Sequence, residues 1–415
     1  MKQTRTAILH YSASPVIGGV EVVVDAHAAT FVEAGHVVMV IAGRGTHDAL
    51  PAGTDFVLVP EMDSQHPRIL AASRSLEAGA VPADFQALVD LLVDALRPLL
   101  AQMNNVIVHN AFTKHFNLPL TAALYRLLDA RAIRHCIAWC HDFTWTSPHS
   151  RAKVHEGYPW DLLRTYRPDV TYVVVSESRR RDLGGLLGCP LDAIHTVYNG
   201  VDPATLLGLS PAGYELARRL GMLASDLNLL MPVRVTQAKN IEYALRVVAA
   251  LKARGVRPKL VLTGPPDPHD PTSMAYFREL QALRRELNVE AEMRFVFESG
   301  PNPDAAHVID VSTVGELLRL SDVMFMPSHR EGFGMPILEA GLAGIPVVAT
   351  EAVPAARELG DDDVLIFNPE DPPDYIAGQI LDLVDQIPVQ RLRRRVRGRY
   401  TWPAICERDI KPLLK

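Results

Sequence analysis

Residues 6–42, TAILHYSASPVIGGVEVVVDAHAATFVEAGHVVMVIA, decide the fold class. The apolar run at residues 6–11 predicts a short buried strand, and a loop that contains two adjacent glycines follows it. From Val20 onward apolar residues recur at spacings of three and four, which predicts a helix that ends at Gly35. Residues 37–41 are apolar again and predict a second strand. A strand, a glycine loop, a helix and a strand form a βαβ unit, which predicts a parallel sheet.

The same alternation of strands and helices continues along the chain. Further apolar runs predict strands at residues 105–109, 133–140, 171–175, 194–198, 227–233, 260–262, 294–297, 323–326 and 346–349. Gly, Pro and Asp cluster at residues 199–226 and interrupt the pattern. We therefore predict an α/β protein with two Rossmann-like doubly wound domains, residues 1–205 and 206–390, and a C-terminal segment, residues 391–415. The arginine-rich stretch at residues 391–399 could bind an anion, but the pattern favours the solvated face of a helix.

The composition indicates a globular protein and gives no sign of a nucleic-acid partner. Of the 415 residues, 48% are hydrophobic and 22% are charged, and the formal net charge is −6. The four cysteines are too few for a disulfide scaffold, which favours a reducing compartment. The first apolar run is too short for a signal peptide or a spanning helix. We therefore expect a cytoplasmic protein. The sequence does not indicate membrane association, and it leaves a homo-oligomer open.

Two glycines stand where the first predicted strand passes into the first helix. Gly18 and Gly19 would let a ligand approach the backbone closely, and the helix N-terminus offers N–H groups to an anion. A tight turn without a ligand is the alternative interpretation. The position favours a ligand, because doubly wound sheets bind ligands at the carboxyl ends of their strands.

His141 directly follows the strand predicted at residues 133–140. The neighbouring pattern His-Cys…Cys-His suggests zinc. On a strand, however, the cysteines Cys136 and Cys140 share one face while the two histidines share the other. One ion cannot easily collect all four side chains, so we predict no metal site. His141 is then either a group that faces a ligand or a hydrogen-bonded loop histidine.

The second half contains a longer pattern, SHREGFGMPILE at residues 328–339, directly after a predicted strand. Its glycines keep the loop backbone open, and Pro336 suits the first turn of the next helix. Glu331 would lie in the loop and Glu339 about one turn into the helix. Carboxylates placed in this way can accept hydrogen bonds from sugar hydroxyls, while the loop amides face a phosphate.

Two cations follow the first strand predicted for the second domain. Arg234 and Lys239 belong to the stretch RVTQAK at residues 234–239. Two positive charges at the carboxyl end of a strand would suit a pyrophosphate, although exposed Arg and Lys side chains are usually only solvated.

Taken together, these motifs resemble those of the family 4 glycosyltransferases. The matching segments are GGVE at 18–21, IAWCHD at 137–142, VVSES at 174–178, YNGVD at 198–202, the R-x4-K pair at 234 and 239, the E-x7-E motif at 331–339, and YTW at 400–402. The resemblance covers nearly the whole chain. It implies the GT-B fold, in which two Rossmann-like domains face each other across a cleft and a last helix crosses back to the first domain.

The resemblance implies a retaining transferase that moves a hexose of the glucose or mannose type from a UDP- or GDP-sugar to an acceptor hydroxyl. It implies that Glu331 contacts the hexose hydroxyls and Glu339 the ribose hydroxyls. Arg234 and Lys239 would hold the pyrophosphate. The residues of the two glycine loops that would assist them in binding the donor are Gly18, Gly19, Phe333, Gly334 and Met335.

The resemblance also implies that His141 approaches the donor sugar near the reacting centre, with no enzymic nucleophile. Fixed cations and amides can stabilise the leaving diphosphate, so we expect neither a metal nor a cofactor. The Pro-rich segments at 264–271 and 297–311 depart from the family pattern and leave the nucleotide base open. We expect a small-molecule or glycan acceptor, with a lipid acceptor as the open alternative. Polar and aromatic residues populate the predicted loops of the first domain: His109, Lys114, His115, Trp139, Trp145, His149 and His155.

Two alternatives stay open. A nucleotide-sugar epimerase or a phosphorylase can also use the GT-B fold, although no clear lysine site for pyridoxal phosphate is visible. A catalytically silent nucleotide-sugar sensor is the non-enzyme alternative. The presence of both glutamates, both cations and His141 argues against such a loss of activity.

Overall fold

The computed structural model describes residues 3–302 and 305–415. Two compact units make up the chain: the first runs to Gly200 and includes Ile405–Lys415, and the second is Val201–Ala404. Each unit contains one parallel β-sheet that is flanked by helices.

The first unit contains a seven-stranded sheet in which every pair of neighbours is parallel. Its strands are β1 (Arg5–His10), β2 (Val37–Ala42), β3 (Thr54–Leu58), β4 (Asn105–His109), β5 (Cys136–Cys140), β6 (Val170–Val174) and β7 (Ile194–Thr196). Their order is β3-β2-β1-β4-β5-β6-β7, so the direction of winding reverses between β1 and β4. Ligands of doubly wound sheets bind at this reversal, outside the carboxyl ends of the strands.

Helices cover both faces of this sheet, which explains why every residue of its strands β4 and β5 is buried. They are α1 (Gly19–Glu33), α2 (Pro67–Glu77), α3 (Phe85–Leu100), α4 (Leu118–Asp129) and α5 (Glu177–Leu187). In α3, for example, Leu88, Leu92 and Leu96 recur every four residues and are fully buried. The spacing that predicted the helix is therefore the spacing that packs it against its neighbours.

The second unit repeats the arrangement with six parallel strands. They are β8 (Leu227–Met231), β9 (Pro258–Leu262), β10 (Met293–Phe295), β11 (Val323–Met326), β12 (Val347–Thr350) and β13 (Val364–Phe367), in the order β10-β9-β8-β11-β12-β13. Here the winding reverses between β8 and β11. The predicted fold class, two Rossmann-like doubly wound domains, is confirmed. The sequence patterns did not predict β3 or β13.

The helices of the second unit connect these strands. They are α6 (Pro203–Leu207), α7 (Pro211–Leu220), α8 (Ile241–Ala253), α9 (Ser273–Glu286), α10 (Val311–Leu320), α11 (Met335–Ala343), α12 (Pro354–Glu358), α13 (Pro373–Gln386) and α14 (Pro388–Arg399), and α15 (Trp402–Ile405) leads back to the first unit. Within residues 3–302 and 305–415, no helix combines the length and the apolar character that a membrane crossing requires.

The units divide after Gly200 and after Ala404, whereas we predicted divisions after residues 205 and 390. Residues 391–404 therefore belong to the second unit. The physical reason is Arg397 of α14, which is buried and donates two hydrogen bonds to the buried carboxylate of Asp322. The prediction of a wholly solvated arginine face was wrong for this residue.

The last residues of the chain pack on the first unit. Ile405 and Ile410 are buried in the same apolar cluster as Ile8 of β1. The backbone N–H of Lys415 donates to Oδ1 of Asn105 at 2.8 Å. These contacts fix the C-terminal segment against the first sheet.

Candidate active site

In the second unit, a cavity of about 750 Å³ opens beyond the carboxyl ends of β8 and β11. This is the point at which the winding of the sheet reverses. Residues that follow β8 and residues that follow β11 line it together. Six residues predicted to bind the donor or to act on it are among them: Arg234, Lys239, Glu331, Phe333, Gly334 and Met335.

Glu331 is held in place by two hydrogen bonds at one of its oxygens. Nζ of Lys239 lies 2.6 Å from Oε1, and Oγ of Ser328 donates to the same Oε1 at 3.0 Å. The Lys239 and Glu331 side chains are only 20% and 11% exposed. Within the described part of the chain, Oε2 of Glu331 has no hydrogen bond, so this oxygen can accept one from a ligand.

Arg234 is paired with a carboxylate that the sequence analysis did not single out. Its Nη1 lies 3.6 Å from Oδ1 of Asp267, which also lines the cavity. The Pro-rich loop brings Asp267 there, because the N–H of Val235 donates to the carbonyl of Pro265 at 3.0 Å. The Pro-rich composition marked an exposed loop, but the backbone pairing that carries Asp267 to Arg234 is a long-range contact without a local signal.

The loop before α11 has a shape that requires glycine at one position. Gly334 has a φ of +103°, and a Cβ at this position would lie 2.6 Å from Cγ1 of Val353. No side chain caps the helix that begins at Met335, and its first turn contains no acidic residue. Pro336 has no N–H, and the N–H of Ile337 donates to the carbonyl of Gly334 at 3.0 Å. The N–H of Met335 and the positive end of the helix dipole are therefore what α11 offers to an anion.

Glu339 is not brought into this cavity. It lies in the second turn of α11 with an exposed side chain, and it is absent from the cavity lining. The two glutamates of the E-x7-E motif therefore occupy different surroundings, and the predicted ribose contact of Glu339 stays a prediction.

In the first unit, a smaller cavity of about 270 Å³ lies at the carboxyl ends of β1 and β4, again where the winding reverses. Its polar and charged lining residues are His10, Tyr11, Ser12, Glu21, Ser64, Asn110, Lys114 and Asp142, with the backbone of Gly19 beside them. Burial lowers the pKa of the Lys114 ammonium, and Asp142 opposes this effect. Asp142 is itself paired with Arg179 at 2.9 Å.

Gly18 does not line this cavity, but it makes room for a carboxylate that does. A Cβ at Gly18 would lie 2.2 Å from Oε2 of Glu21. Glu21 stands in the first turn of α1, accepts a 2.5 Å hydrogen bond from Oγ of Ser12 and lies 3.8 Å from Nε2 of His10. In the sequence, Glu21 stands out only as part of the GGVE motif, and its contacts with Ser12 and His10 have no local signal.

His141 directly follows β5 and is only 8% exposed. Its backbone N–H donates to Oδ1 of Asn110 at 2.9 Å, and its Nε2 lies 3.0 Å from Nδ1 of His109. Burial lowers the pKa of His141 to about 4, with a smaller effect from His10. The imidazole is therefore neutral at pH 7, and the strand-end histidine is hydrogen-bonded.

Two residues expected in acceptor-side loops lie elsewhere. His109 ends β4 and Trp139 lies within β5, and both side chains are fully buried. They cannot line an acceptor pocket. The strands predicted at residues 105–109 and 133–140 already contain these two residues, so the expectation that they lie in loops was wrong.

The residues that suggested zinc are two buried thiols and two hydrogen-bonded histidines. Cys136 and Cys140 are buried free thiols whose pKa values burial raises, that of Cys140 to about 12. Nδ1 of His135 lies 2.9 Å from Oδ1 of Asn105. No group of three or more His, Cys, Asp or Glu residues suited to a metal occurs within residues 3–302 and 305–415.

Two family models match the chain. The model described as Glycosyltransferase Family 4 matches residues 17–205, and the model described as Glycosyl transferases group 1 matches residues 224–398. The chain belongs to the family 4 glycosyltransferases. The resemblance inferred from the motifs is confirmed, although these matches do not test the E-x7-E motif itself.

Several curated proteins resemble this family 4 chain. A glycosyltransferase of Methanocaldococcus jannaschii, described as uncharacterized, is 26% identical over 259 residues, which are 60% of this chain and 61% of that protein. A D-inositol 3-phosphate glycosyltransferase of Saccharomonospora viridis is 31% identical over 218 residues, 51% of this chain and 47% of that protein. A mannosylglucosylglycerate synthase of Petrotoga mobilis is 23% identical over 265 residues, 59% of each.

The matches therefore span only about half to three fifths of these relatives (47% to 61%). Among solved structures, sucrose-phosphate synthase of Thermosynechococcus elongatus aligns over 99% of this chain and 98% of its own, with 17% identity. Its TM-score of 0.38 is too low to support an argument about this chain.

Proposed function

We propose that the protein is a retaining hexosyltransferase that uses a nucleotide diphosphate sugar, of glucose or mannose type, as its donor. The observation that carries the proposal is the cavity of the second unit. It combines paired cations, the partly buried carboxylate of Glu331 and the uncapped N-terminus of α11. Membership of the family supports the same conclusion.

The charges of this cavity suit a diphosphate. Three cations line it, Arg234, Lys239 and Arg330, against two carboxylates, Asp267 and Glu331. The N–H of Met335 and the helix dipole at the start of α11 add positive potential. When the sugar–phosphate bond breaks, negative charge grows on the leaving diphosphate, and fixed cations and amides stabilise it without reorganising. We therefore propose turnover without a metal or a cofactor.

In this proposal Glu331 positions the donor hexose. Its Oε1 is taken by Lys239 and Ser328, so Oε2 accepts a hydrogen bond from a sugar hydroxyl. Glu339 would contact the ribose, and Gly18, Gly19 and His141 would act near the phosphate and the reacting sugar carbon, as the family resemblance implies.

We further propose a small polar or sugar-like acceptor. The cavity of the first unit, about 270 Å³, would hold a molecule of roughly monosaccharide size. Its mixture of carboxylate, ammonium, amide and hydroxyl groups can pair with hydroxyl groups, which both donate and accept hydrogen bonds. Such a reaction would take place in the cytoplasm, in keeping with four cysteines that are all free.

The first test is release of nucleoside diphosphate. The purified chain, with EDTA present, is incubated with UDP-, GDP- and ADP-linked glucose and mannose, with and without a panel of sugars and polyols. We expect slow release from one donor, faster release with an acceptor, and a product whose anomeric configuration matches the donor. Failure to bind any donor would refute the proposal. Conversion to another nucleotide sugar would identify an epimerase, and binding without turnover a sensor. A requirement for Mg²⁺ or Mn²⁺ would contradict the metal-independent part.

The variant Glu331→Ala tests the site itself. It removes the proposed contact with the donor hexose, so we expect at least about a tenfold loss in kcat/KM for nucleoside diphosphate release. Glu290→Ala is the matched control, because Glu290 is an exposed carboxylate remote from the cavity lining. Full activity of Glu331→Ala would remove the assignment, and circular dichroism of both variants would show whether the fold is retained.

A further inference from the structure

Four histidines form a buried cluster near the carboxyl ends of β1, β4 and β5. The rings of His10, His27 and His141 surround that of His109, with centroid distances of 6.2, 5.3 and 5.3 Å. Burial lowers the pKa of each of the four imidazoles. The cluster, which we call the histidine cluster, is therefore neutral at pH 7. His109 is fully buried, and its ring makes its hydrogen bond to His141, so we consider its effect on a substrate through that ring.

The contact between His109 and His141 requires a definite placement of protons. Nδ1 of His109 lies 3.0 Å from Nε2 of His141. A neutral imidazole carries its proton on one nitrogen only, so one ring donates and the other accepts. If His109 donates from Nδ1, the proton of His141 lies on its Nδ1. If His141 donates from Nε2, the proton of His109 lies on its own Nε2.

The surroundings of His109 favour the first arrangement. Its Nε2 is buried and has no hydrogen-bond partner among the residues that the structure describes. The second arrangement would place a proton there and leave a buried N–H without an acceptor, which proteins avoid more strictly than an unpaired acceptor. In the first arrangement, Nδ1 of His141 carries a proton. Across residues 3–302 and 305–415 that nitrogen makes no hydrogen bond, and the residue keeps 8% exposure.

We propose that His109 is a positioning residue, which donates from Nδ1 to Nε2 of His141 and so keeps a neutral His141 with its proton on Nδ1. His141 can then donate a hydrogen bond to an oxygen of the donor sugar. Because the imidazole is neutral, it does not repel the positive charge that develops on the sugar ring as the sugar–phosphate bond breaks. This inference rests on the proposed transferase function for its consequence, but not for the tautomer itself.

The tautomer is measured without turnover. The full chain is labelled with ¹⁵N-histidine, and long-range ¹H–¹⁵N spectra are recorded at pH 7.5. Comparison with His141→Gln identifies the two ring nitrogens of His141. We expect the protonated nitrogen to be Nδ1, and a proton on Nε2 would overturn the proposal. This result stands even if no donor is turned over, so it separates this inference from the proposed function.

Two variants of His109 test the consequence for catalysis. Asparagine can place an amide N–H near the position of Nδ1, whereas leucine fills the site without a donor. We expect His109→Leu to lower kcat for nucleoside diphosphate release about tenfold with little change in KM for the donor. His109→Asn should restore most of that loss.

A merely structural role for His109 would give a different pattern. Equal losses in the two variants, or an unchanged kcat in His109→Leu, would contradict the proposal. Thermal unfolding of both variants is the control for the fold. If His109→Leu does not fold, the ¹⁵N spectra and the kcat of His109→Asn relative to the unaltered chain still decide the question. A large loss of kcat in a folded His109→Asn variant would refute the proposed hydrogen bond from residue 109 to His141.

Discussion

Replacing Arg397 by methionine tests what holds the arginine-rich helix α14 in the second unit. Nη1 and Nη2 of Arg397 donate to the two carboxylate oxygens of Asp322 at 2.8 and 2.6 Å. The Asp322 side chain is 0% exposed and that of Arg397 is 6% exposed. The variant keeps the bulk of the side chain and removes both of these hydrogen bonds, together with the 3.4 Å hydrogen bonds that Arg397 donates to the carbonyls of Ser225 and Leu320.

The magnitude follows from what remains around Asp322. Without Arg397, the buried carboxylate keeps the hydrogen bond from the backbone N–H of Asn228 to Oδ2, at 2.7 Å, and the electrostatic attraction of Arg393. Breaking one partner of a buried ion pair costs about 3–5 kcal/mol, because the other charge stays buried and uncompensated. We expect the free energy of unfolding of the second unit to fall by about that amount.

Hydrogen exchange followed by mass spectrometry in increasing urea is the assay, read from peptides of β8 and β11, which belong to the second unit alone. Arg395→Met is the matched control, since Arg395 is exposed on the same helix and should change stability by no more than about 0.5 kcal/mol. Adding Asp322→Asn to Arg397→Met removes the unpaired charge and keeps an acceptor for Asn228, so about half of the loss should return.

Two results would refute this reasoning. One is an effect of Arg397→Met no larger than that of Arg395→Met. The other is a double variant as unstable as the sum of its single changes, because the cost would then not come from an uncompensated charge.

Two further predictions concern the buried histidines and the glycine loop. Burial lowers the pKa of His27 to about 3 and that of His141 to about 4, so the unfolded chain takes up protons first as pH falls below 6.5. The contribution of these two histidines to the free energy of unfolding is therefore fully present above pH 6.5. It falls toward pH 4 by up to about 1.4 kcal/mol per pH unit for each group, and urea unfolding at several pH values would measure this decrease. His27→Leu should flatten this dependence, and an unchanged slope would contradict the explanation. Gly334→Ala should weaken binding of UDP or GDP about tenfold in calorimetry, because of its φ of +103° and the contact with Val353. Gly341→Ala is its control, since Gly341 lies in α11 outside the cavity lining and a Cβ there meets nothing within 4 Å. Equal effects of the two variants would argue against the required loop shape.

The sequence alone determined the fold class. The period of apolar residues is a local property, and in residues 6–42 it changes from strand to helix and back to strand. The loop that leads into α11 was also predictable, because its glycines, Pro336 and Glu331 lie within a few residues of one another. Both predictions rest on neighbours along the chain.

Only the tertiary structure decided which side chains meet. Lys239 and Glu331 are 92 positions apart, and His109 and His141 are 32 apart. Each pair lies at or beyond the carboxyl ends of strands that are neighbours in a sheet: β8 with β11, and β4 with β5. The unpredicted burial of Arg397 has the same origin, since its partner Asp322 directly precedes β11, a central strand of the second sheet. Strand order and burial set these contacts, and neither leaves a periodic signal in the sequence, because a hydrogen-bonding partner is selected by proximity in space and not by spacing along the chain.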